Sequence, residues 1–276
     1  MTLDERSPIA DAALSVVLLS AGPSAPNLGD VLAEWATYLN GGDREYELIL
    51  PLLVGDGPSS DWTGRYSRLR VLPMAVPAGL GTALRAGVAA ARYPLLCYCL
   101  ADGRFRPADL GRLLRKIDRV DLVCARREAK QAAQPTWGGR LVRWAAQWIF
   151  GIVVRDLECV FVLARRALFA RIPIQSEGPF AHVEVLAKAN FLGALLDEAV
   201  VAQRSVGSQG QPLGWGQAWA DGWRLFSTPD FGPVDANRRF AEPTADSLST
   251  TSADGSLTQT AAVLSRNSSS ETKQVG

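Results

Sequence analysis

Six residues near the start, Leu14-Ser-Val-Val-Leu-Leu19, run without a charge and stop at Ser20-Ala-Gly-Pro23. A continuous apolar run of that length, rather than an alternating one, predicts a strand buried on both faces, as in a parallel sheet covered by helices. The next segment agrees. Leu28, Val31, Leu32, Trp35 and Leu39 recur at helical spacing, and Asn40-Gly41-Gly42 supplies a stop. The same reading predicts further strands over 46–54, 70–74, 94–100, 120–125, 160–163 and 195–201. Pro51 lacks an amide donor and should end or edge the second strand. Helices are predicted over 79–92, 107–117, 139–150, 165–172 and 183–191, the 107–117 helix opening with proline. The alternation implies an α/β domain: a mostly parallel sheet with helices on both faces. In such sheets ligands bind beyond the carboxyl ends of the strands. Those ends are the loops around Ser20-Ala21, Gly55-Asp56-Gly57, Ala101-Asp102-Gly103 and Arg126-Arg127.

Composition narrows the function. Among 276 residues, 29 Lys+Arg face 28 Asp+Glu, a net charge of +1 that gives no field to gather nucleic acid. The four cysteines, Cys97, Cys99, Cys124 and Cys159, have neither disulfide-scaffold density nor paired C-x-x-C zinc spacing, and read as small buried hydrophobes. The first apolar stretch, 12–19, is short and follows Asp4, Glu5 and Asp11, the wrong flank for a signal peptide. The run 144–154 spans 11 residues, against about 20 for a membrane helix. No transmembrane segment is expected, and the chain is placed in the cytoplasm. Phe240 is the last aromatic residue, and of the 36 residues from 241 to 276, 14 are Ser or Thr. So little apolar surface cannot offset the entropy of ordering a backbone. The expected organisation is an N-terminal extension (1–12), one α/β domain (13–240) and a disordered tail (241–276). Without the tail, 27 basic side chains face 24 acidic ones.

Four segments carry the chemistry. Gly79-Leu-Gly-Thr-Ala-Leu-Arg-Ala-Gly87 opens a small-residue helix after the third strand, and Leu100-Ala-Asp-Gly-Arg-Phe-Arg-Pro-Ala-Asp-Leu110 joins a strand end to the next helix. Arg155-Asp-Leu-Glu-Cys-Val-Phe161 and Gln175-Ser-Glu-Gly-Pro-Phe-Ala-His-Val-Glu184 follow. In this order and spacing they resemble family 2 glycosyltransferases of the GT-A fold, in the branch of dolichyl- or polyprenyl-phosphate mannosyltransferases. The resemblance covers about residues 14–204.

The resemblance implies a nucleotide-sugar donor and Mg²⁺ or Mn²⁺ held by a D-x-D strand end, neutralising charge on the departing diphosphate. It implies a polyprenyl-phosphate or similar acceptor, with the protein at the inner face of a membrane. It assigns Asp102, His182 and Glu184 to catalysis, Asp102 to the metal, and Ala21, Asp56, Gly57, Gly79 and Arg127 to the nucleotide-sugar. The sequence departs from the pattern on ligand-facing loops. Leu100-Ala101-Asp102 lacks the first carboxylate of D-x-D, Ser20-Ala-Gly-Pro-Ser24 lacks the family's Asn-Glu, Pro77-Ala78-Gly79 lacks a basic residue, and His182 replaces an Asp.

Each residue has a second reading. Asp102 is a metal ligand or a cap for the turn before Arg104. His182 is a base or ligand, or a structural residue at a helix start. Asp56 suits a Gly-Asp-Gly-Pro turn, and Gly79 and Gly81 suit close helix–sheet approach. Arg155-Asp156 is a structural ion pair or turn, or a part of the site. The 139–150 helix lies on lipid or packs on its own domain, and Trp215, Trp219 and Trp223 form a core stripe or a docking face. The resulting expectation is a hexosyltransferase. The alternative is a catalytically impaired homologue acting as a binding or scaffold module. A nucleotidyltransferase is disfavoured because the first loop has no lysine-bearing glycine-rich signature.

Overall fold

The uncharged run near the start forms β1 (Leu14–Leu19), buried along its whole length. The computed structural model describes residues 9–20, 28–53, 59–75, 79–128, 151, 154–204, 227–228 and 230–231. After β1 come α1 (Leu28–Asn40), β2 (Tyr46–Leu53), α2 (Ser59–Arg65), β3 (Leu69–Met74), α3 (Leu80–Ala90) and β4 (Leu95–Leu100). A 3₁₀ turn (Pro107–Asp109) leads into α4 (Leu110–Ile117), followed by β5 (Leu122–Arg127), β6 (Phe161–Arg165), α5 (Arg166–Phe169), α6 (Phe180–Phe191) and β7 (Leu196–Val201). The seven strands form one sheet in the order β3-β2-β1-β4-β6-β5-β7. Pairing is parallel except where β6 runs against β4 and β5.

Helices cover both faces. Leu32 and Trp35 of α1, with Leu113 and Ile117 of α4, pack on the side of Val16, Leu18, Cys97 and Cys99. Leu84 of α3 and Leu186 of α6 pack on the side of Val17, Leu19, Leu96 and Tyr98. This even–odd split is the period-two geometry of a strand, applied to residues apolar on both sides. The rings of Trp35 and Phe161 meet edge to face at 6.2 Å, an arrangement worth about 0.5–1.5 kcal/mol beyond the area it buries. All four cysteines are free and buried, as small hydrophobes would be.

Several boundaries differ from expectation. Pro51 does not end β2: the β1 pairing reaches only Val17 opposite Ile49, whereas β3 continues alongside to Met74 opposite Leu53. Pro51 therefore lies where the strand is paired on one side, and its missing donor is tolerated. The helix expected over 165–172 is the four-residue α5, because the N–H groups of Arg171 and Ile172 turn back to the carbonyls of Leu168 and Phe169. α6 begins at Phe180 rather than at 183, directly after Pro179. β5 starts two residues late, since Asp121 donates its N–H to the Leu195 carbonyl and accepts the Leu195 N–H. The periodicity does not predict α2, whose single large apolar residue, Trp62, packs beneath it. The 139–150 helix, the three-tryptophan stripe, residues 1–8 and the 241–276 tail lie outside the described residues. Among the described residues, no helix is long and apolar enough to cross a membrane.

Candidate functional site

The exits of β1, β4, β5 and β7 lie on one rim of the sheet, joined by the entrance of β6, which runs the other way. The rim is continuous in hydrogen bonds. Ala101 donates its N–H to the Leu19 carbonyl at 2.8 Å, Leu100 to the Val160 carbonyl at 3.2 Å, and Arg204 to the Arg104 carbonyl at 2.9 Å.

Asp102 lies two residues beyond the end of β4. Gly103 takes a φ of +79°, a left-handed turn that suits glycine. The reversal folds Arg104 back over Asp102, whose carboxylate accepts the Arg104 backbone N–H at 3.1 Å and its Nε–H at 2.6 Å. Asp102 is therefore buried, capped by its own turn and paired to a cation. Among the described residues, the two terminal guanidinium nitrogens of Arg104 carry no further partner.

Arg127, at the end of β5, is gripped by the turn that enters β6. Its Nε and Nη2 reach the two oxygens of Asp156 at 2.7 Å each, Nη2 also reaches Glu158 at 3.0 Å, and Asp156 accepts the Arg127 backbone N–H at 3.1 Å. Hydrogen bonding to Asp156 holds the guanidinium charged more firmly than usual. Asp156 thus pairs with Arg127, 29 residues away, rather than with its neighbour Arg155. Further along the rim Arg126 faces Glu198 at 3.5 Å, and Arg204 holds Glu34 of α1 at 2.8 Å.

The glycines that open α3 touch a chain segment rather than a strand. A Cβ on Gly79 would lie 2.2 Å from the Glu177 carbonyl oxygen, and one on Gly81 would lie 2.1 Å from that of Ser176. The Gly81 N–H donates to the Glu177 carbonyl at 2.8 Å. The close approach to the sheet falls to Gly87, whose Cβ would lie 2.3 Å from Val17 Cγ1.

Glu184 and His182 sit behind that segment. Glu184 accepts the N–H groups of Gln175 and Ser176 at 2.8 Å each and pairs with Lys188 at 2.7 Å, with both charged side chains fully buried. His182 is buried against Tyr98, with Nδ1 3.0 Å from the phenol oxygen. Its Nε2 has no partner among the described residues. Burial pushes its pKa down to about 4, only partly opposed by Asp156. Neither side chain reaches the surface; Glu184 holds the 173–177 segment on which the α3 start docks, and His182 packs against Tyr98 of β4. Ala21, Asp56 and Gly57 lie outside the described residues.

Among the described residues, the set around Asp102 does not fit a resident divalent cation. Both oxygens of Asp102 accept hydrogen bonds from Arg104. Among the described residues, no three His, Cys, Asp or Glu side chains come together to hold a metal. Sequence reasoning misses three contributors: Arg104, Asp156 as the partner of Arg127, and Lys188. The Asp-Gly-Arg turn points to the first. An acid and a base four apart on the largely apolar α6 point to the last. Nothing local marks the Arg127–Asp156 pair.

Residues 58–174 match the family model Glycosyl transferase family 2. No curated protein matches the sequence. Among solved structures, glucosyl-3-phosphoglycerate synthase from Mycobacterium tuberculosis in complex with UDP is similar at 19% identity and a TM-score of 0.63, over 84% of this chain and 87% of that one. Its complex with Mn²⁺, UDP and phosphoglyceric acid is similar at 19% identity and a TM-score of 0.61, over 84% of each chain. The complex with Mg²⁺ and UDP gives 19% and 0.59, over 84% and 86%. The seven-stranded, mostly parallel mixed sheet with helices on both faces is the GT-A fold, and its central segment matches glycosyl transferase family 2.

Proposed function

We propose that this protein transfers a hexose from a nucleotide-sugar to an anionic acceptor at the strand-end rim. The observation that carries the reading is the Asp102-Gly103-Arg104 turn at the exit of β4, inside the 58–174 segment that matches family 2. It offers a cation where a donor diphosphate would lie. In this reading Ala21, Asp56 and Gly57, directly after β1 and β2 in sequence, serve the nucleotide. Gly79, Glu184 and His182 shape the wall behind the site, and Arg127 fixes its far side.

In the transfer, the bond between the anomeric carbon and the donor diphosphate breaks, and the electron pair leaves with the diphosphate. An acceptor oxygen bonds to the same carbon. Asp102, Asp156 and Glu158 are all bound to arginines, so none is a free general base. An acceptor that is already an anion, such as a polyprenyl phosphate, needs none. A phosphoglycerate, the acceptor in the similar mycobacterial complex, is the competing candidate. The divalent cation expected on Asp102 would have to displace Arg104, and no step is routed through it.

The test is calorimetry with UDP-glucose and GDP-mannose, then a nucleotide-release assay with polyprenyl phosphate or 3-phosphoglycerate. Donor binding followed by acceptor-dependent release supports the reading. Binding without release under either acceptor identifies a binding module instead. No donor binding at millimolar concentration, with or without Mn²⁺, overturns it.

A further inference from the structure

We infer that Arg104 takes the place of a divalent cation at this rim, so that a nucleoside diphosphate binds without metal. The inference rests on the reading above and specifies how the site holds its anion. Three observations carry it. The D-x-D position retains one carboxylate, and that carboxylate is buried and spent on Arg104 through both oxygens. Gly103, at φ +79°, shapes the turn that brings the two together. Arg104 commits only Nε and its backbone N–H, leaving Nη1 and Nη2 without a partner among the described residues.

A guanidinium in that state is a planar fork with fixed direction, whose two terminal nitrogens match two phosphate oxygens. Asp102 then orients the fork instead of coordinating a metal. A metal would meet one carboxylate already neutralised in a partly buried turn, where pairs exchange less readily than in water. Asp102 is thus a positioning residue for Arg104, and Arg104 is the binding residue.

Calorimetry with UDP and GDP, in EDTA and in millimolar Mn²⁺, decides it. The expected result is equal affinity in both conditions. Arg104→Ala should lose about 10- to 100-fold in EDTA, the range of one charge-assisted contact. Mn²⁺ should then restore part of that loss, because Asp102 is released to bind it. Binding by the unaltered chain only when Mn²⁺ is present overturns the inference and leaves the transferase reading standing. Unchanged binding by Arg104→Ala in EDTA overturns it as well. Absence of binding in both conditions removes the transferase reading and the inference together. The comparison on the unaltered chain holds even if Arg104→Ala does not fold.

Discussion

Glu184 and Lys188, one turn apart on α6, meet at 2.7 Å with neither side chain exposed. Lys188 also donates to the Gln175 side-chain oxygen at 2.9 Å, and Glu184 accepts the Gln175 and Ser176 N–H groups. The pair fastens the 173–177 segment from below, while the glycines of α3 rest on it from above. Removing one charge strands the other in an apolar layer. Lys188→Met should therefore cost about 3–5 kcal/mol, and adding Glu184→Gln should recover part of it. Urea denaturation of the single and double variants measures both. A Lys188→Met protein as stable as the unaltered one would show that the pair holds nothing.

Gly81→Ala tests the contact from the other side. The new Cβ would meet the Ser176 carbonyl oxygen at 2.1 Å, a backbone atom with no rotamer to escape into. The expected cost is about 1–3 kcal/mol. Gly64 is exposed within α2, and a methyl added there would have nothing within 4 Å. Gly64→Ala should stabilise by about 0.5 kcal/mol through helix propensity. Thermal melting of the two variants should move in opposite directions.

His182 sets a pH dependence. Folded, it stays neutral down to about pH 4; unfolded, it takes up a proton near its ordinary 6.5. Stability is thus complete above the unfolded value, falls as pH drops between the two, and levels off below. The span corresponds to about 3 kcal/mol. Urea midpoints between pH 4.5 and 7.5 should slope for the unaltered protein and flatten for His182→Gln. Parallel slopes would remove His182 as the cause.

Arg127 and Asp156 join the end of β5 to the entrance of β6 through two side-chain bonds of 2.7 Å. Lysine keeps the charge but not the fork, so Arg127→Lys should cost about 1–3 kcal/mol. In a double-mutant cycle with Asp156→Asn, the two losses should fall well short of adding. Full additivity would mean that the two side chains act independently.

Much of this architecture is legible in the chain. β1 is an uninterrupted apolar run, and α1 carries five apolar residues at helical spacing; burial of a strand on two faces or of a helix on one leaves those patterns. α2 escapes a sequence reading because its inward packing among the described side chains rests on one large apolar residue, Trp62. The direction of β6 is hidden, since an apolar strand reads alike in either sense. The Arg127–Asp156 pair depends on that direction and is hidden with it. The placement of the candidate residues is legible in part: Asp102 lies just beyond the end of β4, and His182 and Glu184 lie in the first turns of α6. Their depth is not, because burial of a charged residue depends on a partner, and the four-residue spacing of Glu184 and Lys188 shows that they can meet but not that they do so away from water.

The four cysteines have a practical consequence. Burial raises every one of their thiols, leaving almost no thiolate in the native protein. They sit in β4, β5 and the approach to β6, the middle of the sheet, so an alkylating reagent reaches them only when the centre opens. The chain thereby carries its own reporter of opening, and labelling rates followed by mass spectrometry give the stability of the central strands without any introduced probe.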